Sequence, residues 1–145
     1  SYKRYVPGLW APLNATWGIE NRTCGSRVIL GPSDSAARIE LRQTAADINP
    51  HVAMAACLGS GLYGIENKLL PPPETSGDAT AAGNEALPLP LTLDAAIGKL
   101  RESEAAREVL GEGFVDHYVR TRDWECRQYN RSVSEWELRR YFEAV

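Results

Sequence analysis

Between Pro71 and Leu91 the chain places five of its nine prolines, three acids and no lysine or arginine. Proline fixes φ and removes a backbone donor, so regular structure should stop there. The stretch, residues 70–91, reads as a linker or surface excursion. It divides the chain into a part that must fold from the residues before it and a helical part, 92–145. The 145 residues are the size of one ordinary domain, and a hydrophobic content of 43% is enough for a core.

Before the break, Leu13 to Ile19, Arg27 to Leu30 and Ala37 to Leu41 read as short strands separated by Gly, Pro, Ser and Asp. The period then changes. Asn49 can cap and Pro50 fits a first helical turn, and Val52, Ala55, Ala56, Leu62, Ile65 and Leu69 form an apolar stripe. Gly59, Gly61 and Gly64 would each weaken an isolated helix by up to about 1 kcal/mol. Such small residues suit close backbone packing, so this helix is expected to be buried. After the break, Thr92 and Ser103 are placed to cap helices and "GEG" at 111–113 separates them from two amphipathic helices. Ser134 and Glu137 have capping-box spacing. The expectation is an α+β fold, with an antiparallel sheet in the first half flanked by helices and a helical C-terminal half.

The chemistry gathers in "RIELR", residues 38–42. Alternate residues of a strand share a face, so Arg38, Glu40 and Arg42 point one way and Ile39 and Leu41 the other. One reading is a solvated face with incidental ion pairs, each worth about 0–1 kcal/mol. The neighbourhood favours another. Arg22 and Arg27 lie on the preceding segments, and adjacent antiparallel strands would bring them to the same face. Four guanidiniums around one carboxylate exceed what ion pairing needs. Arginine offers forked donors to phosphates and carboxylates at any working pH. An ionised Glu40 among them is a hard oxygen ligand suited to Mg²⁺. That combination points to phosphoryl transfer, with side chains on a sheet holding the phosphate, since no Walker-type glycine loop is present.

Charge and cysteine usage narrow the classes. Net charge is −3, against a general nucleic-acid binder. Up to Leu70 there are seven Lys or Arg against five Asp or Glu, and from Pro71 onward nine against 14, so the basic excess sits beside the cluster. Cys24, Cys57 and Cys126 have no metal-type spacing and read as free thiols of a reducing, cytoplasmic compartment. No apolar run approaches the roughly 18 residues of a membrane span.

"SYKRYVPG", "ENRT", "SR" and "ARIELRQTAADINPHVAMAACLGSGLYGIENK", in this order from Ser1 to Lys68, resemble the C-terminal part of the catalytic domain of glutamine synthetases. The resemblance implies an ATP-dependent ligase that joins glutamate to ammonia or an organic amine through γ-glutamyl phosphate, with Mg²⁺ (or Mn²⁺) bound. It implies that Arg4 binds the α-carboxylate of glutamate, and that Arg42 lies near the γ-carboxyl end and its acyl phosphate. Arg22 would stabilise phosphoryl transfer, Arg27 and Arg38 would hold ATP phosphates, and Glu40 would ligate the metal. Where the family carries aromatic-Glu-Ala-Pro after "VPG", this chain has "LWAP". Trp10 thus stands where a glutamate helps bind and deprotonate ammonium. Indole cannot take a proton, but it can wall a larger, less polar amine and attract a cation. His51 replaces a tyrosine of the family and reads as a helix-start packing residue. The family also has an N-terminal β-grasp domain, further metal-binding Glu and His residues, a loop that closes on glutamate, and sites between subunits of a homo-oligomeric ring. None of the first three is found here, so the chain is read as a fragment carrying one wall of a site and inactive by itself. A non-catalytic structural member of the same family is the alternative.

Overall fold

A computed structural model describes residues 2–81 and 86–143. Ser1 of the first motif, residues 82–85 of the Pro-rich stretch and the last two residues of the C-terminal segment lie outside the described residues. The chain forms two compact units, Ser1–Thr92 and Leu93–Val145, and belongs to the α+β class.

The first unit holds a three-stranded sheet of β1 (Trp17–Ile19), β2 (Ser26–Ile29) and β3 (Arg38–Leu41), in that order. β2 and β3 pair antiparallel, with Arg27 opposite Glu40 and Ile29 opposite Arg38. β1 departs from the expected antiparallel sheet, because it runs parallel to β2, with Trp17 opposite Ser26. Parallel neighbours usually need a crossover of a dozen or more residues. Here six residues, 20–25, suffice because β1 is only three residues long. Glu20 turns the chain out of β1 with φ of 52°, a left-handed conformation that costs a non-glycine residue about 1–2 kcal/mol. Asn21 then accepts from the amide and hydroxyl of Thr23 at 3.0 and 2.6 Å, a local turn that starts the return. Cys24, fully buried, anchors the loop from inside.

The strand expected from Leu13 is shortened to β1. Residues 13–15 pair instead with the Pro-rich stretch: Ala15 N donates to Leu87 O and Leu89 N to Leu13 O, both at 2.8 Å. Pro88 and Pro90 lack amide donors, so only the isolated bridge Asn14–Pro88 forms. The same stretch runs along β1. Thr75 N donates to Trp17 O at 2.9 Å, Trp17 Nε1 to Pro72 O at 2.7 Å, and Asn21 Nδ2 to Thr75 O and Gly77 O at 3.0 and 2.8 Å. It is irregular, as its prolines require, yet it is stitched to the sheet edge. Gly18 has no room for a side chain there, because a Cβ would stand 2.7 Å from Thr75 O.

α1 (Pro50–Glu66) starts where Asn49 Oδ1 accepts from the amides of His51 and Val52, with Pro50 in the first turn. The expectation that it is buried does not hold, since no residue of α1 is buried. Met54, Leu58, Leu62 and Ile65 are 62%, 67%, 50% and 75% exposed. The small residues do permit close packing, but no described residue packs there closely enough to cover the stripe. An apolar groove of 410 Å³, lined by Leu41, Ile48, Met54 and Leu58 among others, runs between β3 and the start of α1.

The second unit is helical: α2 (Leu93–Glu102), α3 (Glu104–Leu110), α4 (Glu112–Arg131) and α5 (Glu135–Tyr141). Gly111, at φ 85°, separates α3 from α4. Ile97 of α2 packs with Val115 and Val119 of α4, and Leu93, Leu100, Leu110 and Cys126 close around them. Each such buried aliphatic contributes about 1.5–3 kcal/mol. Arg107 pairs with Glu112 and with Asp116 at 3.0 Å, which ties α3 to the first turns of α4. Ser103 caps α3, and Ser134 with Glu137 forms the capping box of α5.

Candidate active site on the sheet

The antiparallel register of β2 and β3 sets the site. Arg27 and Glu40 are directly opposite, so their side chains share a face, and Arg42 continues that face one step past β3. The Arg42 amide extends the ladder by donating to Gly25 O at 2.9 Å. Glu40 accepts from Arg27 Nη1 at 3.5 Å and from Arg42 Nη1 at 3.3 Å. Both contacts are long for charge-assisted pairs, which settle near 2.7–2.9 Å. The two arginines are largely covered, at 17% and 14% side-chain exposure, whereas the side chain of Glu40 is 41% exposed.

A further carboxylate joins from the end of β1. Glu20 accepts from Arg27 Nη2, so the guanidinium spans two carboxylates. The pKa of Arg27 is raised above its ordinary value, first by its hydrogen bond with Glu20 and, against the opposing effect of burial, by the charges of Glu20 and Glu40. Arg42 Nη2 reaches the main-chain carbonyl of Trp10 at 2.9 Å. Among the described residues, the Nε atoms of Arg27 and Arg42 are buried and have no hydrogen-bond partner. Buried donors are rarely left so.

The other expected residues are distributed around this core. Arg38 heads β3 on the same face, exposed, and donates to Ala36 O at 3.0 Å. Arg4 donates to Thr44 O, just beyond Arg42, and lies 5.6 Å from the ring of Tyr5, whose hydroxyl donates to Gln43 O. The "KRY" segment is thus pinned to the chain leaving β3. Trp10 is 75% exposed, and its carbonyl is held by Arg42. Arg22 is not brought into the ion-paired cluster. It sits exposed in the turn between β1 and β2 and makes no hydrogen bond or ion pair among the described residues. The expectation that antiparallel strands would carry it to the face of Arg27 fails with the parallel pairing of β1 and β2.

Sequence reasoning missed Glu20. It lies inside "ENRT", but strand alternation gives no signal at a residue whose backbone has left the strand. Among the described residues, no group of three or more His, Cys, Asp or Glu is placed to hold a metal ion. No described helix is long and apolar enough to cross a membrane.

Comparison with known proteins gives a consistent answer. Residues 1–141 match the family model described as "Glutamine synthetase, catalytic domain". Over its full length the chain is 45% identical to type-1 glutamine synthetase 2 of Dictyostelium discoideum, covering 28% of that protein. It is 46% identical, again over its full length, to glutamate–isopropylamine ligase of a Pseudomonas species, covering 32% of it. The chain therefore spans about a third or less of the curated relatives it matches. A solved structure described as "GmaS/ADP complex-Conformation 1" matches 92% of this chain and 30% of its own, with a TM-score of 0.76 and 32% identity.

Proposed function

Since the chain belongs to the glutamine synthetase catalytic-domain family, we propose that it forms the phosphate-binding wall of an ATP-dependent ligase that joins glutamate to ammonia or an organic amine as a γ-glutamyl amide. The observation that carries this reading is the partly exposed side chain of Glu40 held only at 3.3 and 3.5 Å between two largely covered arginines on one face of the sheet.

In this reading Arg27, with Arg38 beside it on the same face, holds ATP phosphates, for which guanidinium forks are the matching donors. Arg42 and Arg4 bind glutamate, with Arg42 nearer the end that accepts the phosphoryl group. Arg22 carries no competing partner among the described residues, so its charge is available to meet the phosphoryl group in transit. Such a contribution is electrostatic and strongest in the transition state. The product of that step is γ-glutamyl phosphate, which the amine then attacks to release phosphate. Trp10 walls the acceptor position.

The fit to a divalent cation can be judged from Glu40 itself. Its oxygens are hard donors, its two contacts exceed 3.2 Å, and 41% of the side chain is open. Mg²⁺ or Mn²⁺ bound through one carboxylate, with phosphate oxygens and waters completing the shell, suits such a residue. When bound, the ion would neutralise phosphate charge. The relative described as an ADP complex supports nucleotide use. The same reading takes the full-length protein as a cytoplasmic homo-oligomeric ring.

The test is release of inorganic phosphate by the full-length protein from ATP and glutamate with ammonia and a panel of mono- and diamines. Turnover with at least one acceptor, lost in Glu40→Gln, is expected. No turnover with any acceptor would leave the structural, non-catalytic reading in its place.

A further inference from the structure

Resting on that reading, we propose that Glu20 is a positioning residue, which keeps the carboxylate of Glu40 available to a divalent cation by engaging Arg27 from the opposite side. Arg27 stands on the central strand, with Glu40 across from it on β3 and Glu20 at the end of β1. Its Nη2 is taken by Glu20 and only Nη1 reaches Glu40, at 3.5 Å. The other arginine on Glu40 is similarly drawn aside, because Arg42 Nη2 is held by the Trp10 carbonyl and Nη1 stops 3.3 Å short.

The geometry has a clear alternative. Released from Glu20, Arg27 could turn both terminal nitrogens onto Glu40 and form a close, forked pair. That pair would compete with a cation for the same oxygens. The backbone at Glu20 points the same way. The residue holds φ 52°, a conformation glycine would adopt without cost, yet the position carries a carboxylate that reaches the cluster.

The experiment uses Mn²⁺ alone as the probe, titrated into the full-length protein and followed by electron paramagnetic resonance. Glu20→Gln keeps size and backbone preference but removes the charge. It is expected to weaken Mn²⁺ binding about 10-fold, the usual scale for partners of a metal ligand. Glu20→Asp is expected to restore part of the loss. In an Arg27→Met background, Glu20→Gln should leave Mn²⁺ affinity unchanged, because the competitor is gone. A purely structural role would instead weaken binding equally in both backgrounds and lower the melting temperature. Either that result or unchanged affinity in Glu20→Gln overturns the assignment of Glu20. If Glu40→Gln itself leaves Mn²⁺ binding untouched, the reading of Glu40 as a ligand falls, and this inference with it.

Discussion

Arg42 holds Trp10 by its main chain, through a hydrogen bond of 2.9 Å from Nη2 to the Trp10 carbonyl. The contact does not depend on which side chain position 10 carries. Trp10→Glu therefore changes the chemistry of the acceptor wall without cutting the link to Arg42. An indole can pack against an alkyl or aryl amine and lie over a cation, while a carboxylate can bind ammonium and take its proton. In the full-length protein, kcat/KM should be higher for organic amines than for ammonia. Trp10→Glu should raise the value for ammonia by about 10²-fold, the lower end of general-base contributions, and reduce that for the organic amine. An unchanged preference would mean that Trp10 only packs.

Arg22 offers a separation of function from stability. Because it is exposed and unpaired among the described residues, Arg22→Ala should leave the melting temperature unchanged. Phosphate release by the full-length protein should still fall by about 10²-fold or more, as for loss of one transition-state donor. A shift in melting temperature with activity retained would remove Arg22 from the chemistry.

The apolar stripe of α1 should make these 145 residues associate when produced by themselves. Exposed Met54, Leu58 and Ile65, together with the groove beside β3, present a surface that water disfavours. Sedimentation should show oligomers or aggregates, and Leu58→Glu with Ile65→Lys should shift the distribution toward monomer. No turnover is expected from the 145 residues under the same conditions.

The capping box of α5 should respond to acid. Glu137 accepts from the Ser134 amide and hydroxyl, and these hydrogen bonds hold its pKa below the ordinary value of 4.5. A carboxyl whose folded pKa is depressed adds stability above its unfolded value, and loses it as pH falls through the folded one. Helical signal from α5 should therefore decline below about pH 4.5, and Glu137→Gln should remove that part of the pH dependence.

Val115 is fully buried between α2 and α4. Val115→Ala should destabilise the helical unit by about 2 kcal/mol, toward the low end of aliphatic truncations. Denaturant unfolding of the helical signal would measure it.

How legible this was from sequence differed by element. The shared face of Glu40 and Arg42 follows from a period of two, and the contact of Arg42 with Glu40 depends on it. Asn49–Pro50 and Ser134–Glu137 announce their helix starts by local hydrogen bonding, which needs no knowledge of the rest of the fold. The direction of β1 was not legible, because it turns on the left-handed Glu20 and on a loop that returns in six residues. The exposure of α1 was equally hidden. A stripe of small and apolar residues looks the same whether its cover comes from these residues or from elsewhere. Glu20 escaped because charge alternation describes strands and stops where they end.

The Pro-rich stretch gives the sheet a one-way geometry of growth. On β1, the Trp17 carbonyl is taken by the Thr75 amide and the Ile19 amide by the Glu74 carboxylate at 3.1 Å. An incoming strand finds no free ladder there, and the proline side of that strap supplies few donors to start another. β3 has no such covering among the described residues. Among the described residues, the edge left open to a further strand is that of β3, beside Arg38 and Glu40.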